Sequence, residues 1–273
     1  MKKISFFCIT LSPSHEKIIR KLSYIPVGLG DKQFSHHCLN DKNGKNISYK
    51  NKYYGEYTFH YWLWKNYLHQ INTEWVGFCQ YRKFFVKKKV DEKNLNFLDL
   101  QNYVIKYLDS NDQDFEYILG TQFSVKNFKI SKILKKHLIA FLLNPSVIMN
   151  KDKRNLKFHF DLFHGKGNLD LALNYLDEEN KKDFQTFMQQ KTSFNPHNMF
   201  ICRTEILKKY YEVVFPWLEK CESIFGLRNS SDYGLQRIYA FLAERFLSYW
   251  ACKNYKVKEY PIIVKDLSDY KNL

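Results

Sequence analysis

The stretch TEWVGFCQYRKFF, residues 73–85, decides the fold. Its apolar run from Trp75 to Cys79 has the length of a short buried strand. Gln80-Tyr81-Arg82-Lys83 then stands where that strand leaves the core, so an amide, an aromatic ring and two cations are delivered to its end. Upstream, GEYTFHYWLWKNYLHQI (55–71) reads as a helix, with Glu56, His60, Leu63 and Tyr67 on one stripe and Phe59 and Trp64 beside it. Before it come a first strand, KISFFCIT (3–10), ended by Ser12-Pro13, and a short helix, SHEKIIRKL, with Ser14 as its N-cap. A second extended run, YIPVGLG (24–30), ends in glycines, and a polar loop over 31–52 carries the turn signal Asn43-Gly44. Strand, loop, helix and strand in this order build a mainly parallel sheet with right-handed crossovers.

Downstream, residues 86–96 are charged and exposed, followed by a helix near 97–108 and a strand at FEYILG (115–120). ISKILKKHLIAFLL (130–143) has an amphipathic helical pattern, and 144–195 is mostly helical and polar. HNMFICRTE (197–205) reads as a core strand, and the helix over 206–225 is kinked by Pro216. A long helix over 230–254 is capped by Ser231, and YKVKEYPIIV (255–264) is a last strand. There is no internal repeat and no long linker. The expectation is one α/β domain over 1–273, with a ligand-binding half over about 1–125 and a helix-rich half over about 126–273.

A chain of 273 residues with 45% hydrophobic residues has enough material for a sizeable core, which excludes whole-chain disorder. The net charge of +15 favours anionic partners such as nucleic acid, an acidic membrane surface or phosphorylated ligands, although a Lys- and Asn-rich composition produces the same number without any partner. The six cysteines form no C-x-x-C pair and read as buried free thiols of a reducing compartment. His36-His37-Cys38 with Asp41 matches no zinc spacing. MKKISFFCITL imitates a signal peptide, but its apolar run is short and SPSHEK offers no small-residue cleavage site. No apolar stretch approaches the roughly 20 residues that span a bilayer. The expected location is cytoplasmic, with peripheral contact on the inner face of the membrane through the positive surface.

Each candidate site has a plain structural alternative. Arg82 offers a planar donor fork suited to a diphosphate and Tyr81 can stack, at the carboxyl edge where parallel sheets bind ligands; a solvated basic loop is the alternative. Glu56 in a first helical turn gains about 0.3–1 kcal/mol from the helix dipole without any ligand. The loop over 44–51 offers amides and small polar groups for phosphate or sugar, without a phosphate-loop fingerprint. His164 and Asp170 in FDLFHGKGNLD suit a base or sugar ligand, and equally a helix cap or surface group. Arg237, Phe241 and Glu244 share one helix face. Arg245 points roughly 100° round the helix from Glu244, so a buried Glu244 needs its partner from another segment or from a ligand. Asp112-Gln113-Asp114 is a literal D-x-D, but it precedes a strand instead of ending one.

In order, VGLG, DKNGKNISYKN, GEYTFHYWLWKN, VGFCQYRKFF, FEYILG, FHGKGNLDL, NPHNMFI and QRIYAFLAERF resemble a bacterial capsular-polysaccharide glycosyltransferase family first catalogued as a domain of unknown function. The resemblance runs over roughly residues 24–264. It implies a GT-A-like, Rossmann-related fold: a mixed, mainly parallel sheet flanked by helices, with a helical C-terminal part. It also implies transfer of a sugar from a nucleotide-diphosphate donor, a UDP-sugar with furanoses among the options. The acceptor would be a growing capsular polysaccharide, O-antigen or lipooligosaccharide, carried as an oligosaccharide or lipid-linked saccharide. The donor-binding residues it implies are Thr10, Gly28, Asn46, Ser48, Asn51, Glu56, Lys65, Gln80, Tyr81, Arg82 and Lys83. His197, Asn198, Arg237 and Arg245 fall on the acceptor side, and Glu244, Asp170 and His164 are the candidate bases. The family's strand ends His-Tyr-Arg-Arg; here Gln80 replaces the His and Lys83 the second Arg, which keeps charge but loses bidentate geometry. Manganese or magnesium is the metal such chemistry would use, but no acidic pair stands in the expected context, and fixed cations can neutralise the leaving diphosphate instead. Two other classes stay open: a basic nucleic-acid-binding module, disfavoured because the cations are spread along the chain, and a catalytically degenerate transferase-fold scaffold.

Overall fold

Alternate side chains of the first strand point into two different cores, and the whole architecture follows from that. In β1 (Lys2–Thr10), Phe7 and Ile9 belong to one buried cluster and Phe6 and Cys8 to the other. β4 (Trp75–Gln80) does the same, with Val76 and Phe78 on one side and Trp75 and Cys79 on the other. A strand covered on both faces needs apolar residues at odd and even positions, which both segments supply. The structure, a computed structural model, describes residues 1–127 and 150–270, so the helix expected over 130–143 lies outside the described residues.

The main sheet runs in the order β11-β7-β10-β4-β1-β2-β3, where β2 is Ile25–Gly28, β3 Leu39–Asn40, β7 Tyr117–Gly120, β10 Phe200–Arg203 and β11 Val257–Tyr260. β1 pairs in parallel with β2 and β4, β2 with β3, and β7 with β11; β10 is antiparallel to both neighbours, β4 and β7. The sheet is therefore mixed and mainly parallel, with helices on both faces. The carboxyl ends of β1, β2 and β4 and the start of β10 lie along one edge. One face carries α2 (Asn51–Tyr54), α3 (Tyr57–Trp62), α8 (Thr204–Phe225) and α10 (Ile238–Asn254), whose Tyr57, Tyr210, Tyr211, Phe246 and Trp250 share its core. The other face is covered by α1 (Glu16–Lys21), α4 (Phe97–Tyr103) and the hairpin of β5 (Lys83–Phe85) with β12 (Ile262–Val264). Three helices, α5 (Leu156–His164), α6 (Asn168–Leu173) and α7 (Glu178–Gln190), precede β10, and no helix among the described residues is long and apolar enough to cross a membrane.

Several boundaries differ from the sequence reading, each for a local reason. Ser14 does not cap α1, because Pro13 opens a single 3-10 turn over Pro13–His15 and the helix begins after it. The segment 55–71 is broken: α3 widens into a π-turn over Leu63–Tyr67, where Asn66 Nδ2 bonds the Trp62 carbonyl at 2.9 Å and the Lys45 carbonyl at 2.8 Å. Past α4 the chain turns extended, and Tyr107–Leu108 pairs with the start of β1. α8 is continuous through Pro216. The long helix breaks at Arg237, and Asp232, not Ser231, caps the short α9 (Tyr233–Gln236) through the Gly234 and Leu235 amides. Pro261 divides the last strand, so β11 joins the main sheet and β12 joins β5. All six cysteines are free, five of them buried.

Asp41, just after β3, is 1% exposed, and among the described residues neither carboxylate oxygen has a hydrogen-bond partner. Burial pushes its carboxyl above the usual range, opposed in part by the Thr58 hydroxyl, which is itself donated to the Gly55 carbonyl. A carboxyl whose folded value is raised contributes stability below its unfolded value and loses it as pH rises through the folded one. Asp41→Asn is therefore expected to stabilise the chain at pH 8 by about 1–3 kcal/mol and to leave it unchanged near pH 3, read as the difference between melting curves across that range.

Candidate active site

The sheet edge formed by the ends of β1, β2 and β4 and the start of β10 opens into a cleft of about 220 Å³. Its floor is apolar, from Ile9, Leu11 and Leu29. Gln80, Tyr81, Arg82 and Lys83 enter from the β4–β5 turn, and Gly55 and Glu56 from the start of α3. Tyr233, Arg237, Phe241 and Glu244 close it from α9 and α10, with His197 and Asn198 between the two walls.

The β4–β5 turn is clamped by the C-terminal segment: the Leu267 amide donates to the Tyr81 carbonyl and the Lys265 amide to the Arg82 carbonyl, each at 3.1 Å. The Tyr81 ring stacks on buried His15 at 5.0 Å, and His15 in turn bonds the Thr10 hydroxyl at 2.8 Å and the Ser268 hydroxyl at 3.0 Å. Arg82 is exposed at the cleft mouth, with its guanidinium 5.6 Å from the Tyr81 ring centre. Lys83 is half-buried, and burial together with Arg82 lowers its ammonium below the usual lysine value, with Glu244 and Glu56 opposing.

Two carboxylates face these cations. Glu56 accepts from Asn198 Nδ2 at 2.9 Å and pairs with Arg237 at 3.3 Å. Gly55 makes the second contact feasible: its φ is +56°, and a Cβ there would lie 1.8 Å from the Arg237 guanidinium. Glu244 accepts the His197 backbone N–H at 2.5 Å through one oxygen and Arg245 through the other. The partner for Glu244 thus comes both from another segment and from its chain neighbour, because the long guanidinium of Arg245 folds back round the helix. Arg245 itself is buried, with its guanidinium carbon 3.6 Å from the Phe194 ring centre.

The structure brings Asn51, Glu56, Gln80, Tyr81, Arg82, Lys83, His197, Asn198, Arg237 and Glu244 together. It leaves others outside. Thr10 is buried beneath the edge, bonded to His15. Gly28 faces the Phe34 ring, 2.4 Å from where a Cβ would stand. Asn46 and Ser48 bond one another in an Asx turn, the Ser48 amide donating at 3.2 Å and its hydroxyl at 2.9 Å. Lys65 lies 3.0 Å over the Trp64 ring. Asp170 pairs with Lys157 at 2.6 Å on the surface of α6. His164 is a core histidine behind the cleft wall, stacked on Phe241 at 4.1 Å and held near 3 by burial and then Arg245. Arg245 stands behind Glu244 and does not line the cleft. Sequence reasoning missed Leu11, Leu29, Gly55 and the exposed Tyr233. Leu29 and Gly55 each adjoin a residue that it did select, whereas nothing in the sequence marked Tyr233.

The carboxylates that the cleft offers a divalent cation are Glu56 and Glu244. Each oxygen of Glu56 and Glu244 already faces an N–H donor, and among the described residues no three His, Cys, Asp or Glu side chains converge. Asp112 of the D-x-D is buried under Tyr260, Lys258 and Lys87, and Asp114 is exposed beyond it. The His36 and His37 rings lie 3.7 Å apart and tilted by 44°, while Asp41 is buried.

The fold is similar to that of the bifunctional glycosyltransferase WbbM in its apo form, with a TM-score of 0.67 at 18% identity. That match covers 96% of this chain and 45% of the WbbM chain, so this chain spans less than half of that protein's length. At such identity the likeness speaks for the GT-A-like fold alone. Core-mannan synthase A (CmsA/Ktr4) of Aspergillus fumigatus, in its Mn/GDP form, superposes with a TM-score of 0.38 at 11% identity over 95% of this chain and 73% of that one. The mannosyltransferase Ktr4p of S. cerevisiae gives 0.30 at 10% identity over 87% and 66%. Superpositions this loose carry no argument. No curated protein matches the chain. Residues 10–255 match the family described as a domain of unknown function, DUF4422, and the chain belongs to that family.

Proposed function

We propose that this chain is a glycosyltransferase that draws a sugar from a nucleotide-diphosphate donor, with a UDP-sugar as the first donor to test. The observation that carries the reading is Arg82 and Lys83 facing Glu244 across a cleft at the carboxyl edge of the sheet. Loss of the sugar leaves negative charge on the diphosphate, and fixed cations in a partly dehydrated cleft stabilise that charge as it develops. Arg82 and Lys83 take the phosphates, with Tyr81 beside them. In an inverting transfer, the bond from the anomeric carbon to the phosphate oxygen breaks with its electron pair going to the diphosphate. The acceptor hydroxyl then bonds to that carbon while its proton passes to Glu244. Of the three candidate bases Glu244, Asp170 and His164, Glu244 is the one that lines the cleft, and each of its oxygens keeps a second lone pair beyond the N–H it already accepts. The volume of about 220 Å³ is below the roughly 300–1,000 Å³ of common ligand sites, so the diphosphate and sugar fill it and the nucleoside extends over the open floor at Leu11 and Leu29. The fold likeness to WbbM supports the reaction class. The saccharide acceptor, a role in capsule, O-antigen or lipooligosaccharide assembly and contact with the inner membrane face are the parts of this reading that rest on the family resemblance and the charge of +15.

A thermal-shift panel tests it. UDP and UDP-sugars are expected to raise the melting temperature, while an oligonucleotide of equal charge does not. Stabilisation by oligonucleotide alone, lost as salt rises, would favour the nucleic-acid reading and remove this one. The shift with UDP is expected to be the same with manganese and with EDTA, because among the described residues no three metal-ligating side chains converge in the cleft.

A further inference from the structure

His197 and Asn198 are two of the three non-glycine residues with left-handed backbone among the described residues, at φ +84° and +52°. Strain of this kind persists where surrounding contacts over-determine it, and it gathers at functional sites. Here the contacts are specific. The His197 amide donates to Glu244, its carbonyl accepts from Gln80 Nε2 at 3.3 Å, and its ring meets Lys83, while Asn198 holds Glu56. The strained pair therefore ties together both carboxylates and the half-buried cation of the cleft.

The ring contact fixes a tautomer. Lys83 Nζ lies 2.9 Å from His197 Nδ1. An ammonium has three donors and no acceptor, so Nδ1 must present its lone pair and the ring proton sits on Nε2. Among the described residues nothing bonds Nε2, although His197 lines the cleft beside Arg82 and Lys83. Resting on the donor-binding reading above, we propose that His197 is a neutral hydrogen-bond donor to the leaving diphosphate: its Nε2–H, oriented by Lys83 on the opposite nitrogen, joins Arg82 and Lys83 on the phosphate oxygens. The proton stays on the nitrogen throughout. When the anomeric bond breaks, its electron pair passes to the diphosphate oxygen, and the N–H stabilises that charge without being transferred. A third positive charge would be repelled by Lys83, and the ring is accordingly held at about 4, by burial first and then by Lys83, with Glu244 opposing and Arg82 adding.

Two variants and one spectroscopic reading test this. Glycine adopts φ +84° readily, so His197→Gly is expected to fold and to bind UDP roughly 10- to 100-fold more weakly by titration calorimetry. In His197→Gln the amide oxygen accepts from Lys83 and the amide N–H donates onward, so affinity is expected within about threefold of the parent. Should His197→Gln lose as much as His197→Gly, the donor role is refuted. In the parent chain, the side-chain nitrogen signals of His197 are expected to report proton-bearing Nε2 and bare Nδ1 between pH 6 and 8, with the Nε2 proton moving downfield when UDP is added. The opposite tautomer, a charged ring, or an unmoved signal in a chain that does bind UDP would sink this inference while leaving the donor reading intact. A parent chain that binds no UDP would instead overturn the donor reading itself.

Discussion

Glu244→Gln is expected to reduce UDP release from the donor sugar by about 10²–10⁴-fold and to lower the melting temperature as well. The two losses have different causes. Glutamine cannot take the acceptor's proton, so the chemical step loses its base. It also offers one carbonyl oxygen where the carboxylate offered two, and both the His197 N–H and the buried Arg245 now compete for it. One buried donor left unmet costs about 1–3 kcal/mol. Arg245→Met separates the effects. That change leaves the carboxylate in place but strips its charge partner, and breaking such a buried pair costs about 3–5 kcal/mol. Glu244→Gln breaks the same pair and leaves the more deeply buried Arg245 charge unmet, so the two losses of stability are expected to be of the same order, while UDP release per folded molecule falls much less in Arg245→Met. If both variants are equally inactive once corrected for folded fraction, Glu244 is a structural group and not the base.

Arg82→Ala is expected to cost at least about 2 kcal/mol of transition-state stabilisation, about a 30-fold fall in kcat/KM for the donor. The melting temperature is expected to stay constant. Arg82 is exposed, and among the described residues its guanidinium has no ion-pair partner, so the folded chain gives up little when it is removed. Its role is confined to the ligand. Arg82→Lys restores a charge without the planar fork and is expected to recover part of the rate, which measures how much of the effect is bidentate geometry. Near-normal turnover in Arg82→Ala under donor-limited conditions would take the guanidinium out of the reaction.

The place of Gln80-Tyr81-Arg82-Lys83 was legible because an apolar strand before it and a parallel unit around it leave one destination for its end. The common face of Arg237, Phe241 and Glu244 was legible from helical spacing alone, and all three line the cleft even though the chain kinks at Arg237. The loop at Asn46 and Ser48 misled for a physical reason. Small polar side chains that suit a phosphate suit an Asx turn equally well, and here they satisfy each other. His164 and Asp170 sit in a segment rich in such groups, but whether a histidine meets solvent or a phenylalanine ring depends on which helix packs over it.

Periodicity and the order of apolar runs are local properties, so the sequence by itself determined the strand-and-helix order, the mainly parallel sheet and the cationic turn at its edge. The antiparallel insertion of β10, the left-handed pair at its start and the contacts of Glu56 and Glu244 were decided only by tertiary structure. Those contacts join residues 142 and 47 positions apart, and no local spacing encodes which distant donor will meet a given carboxylate. That pairing is settled when the two faces of the sheet are packed, because a buried charge left alone costs more than one that meets a donor.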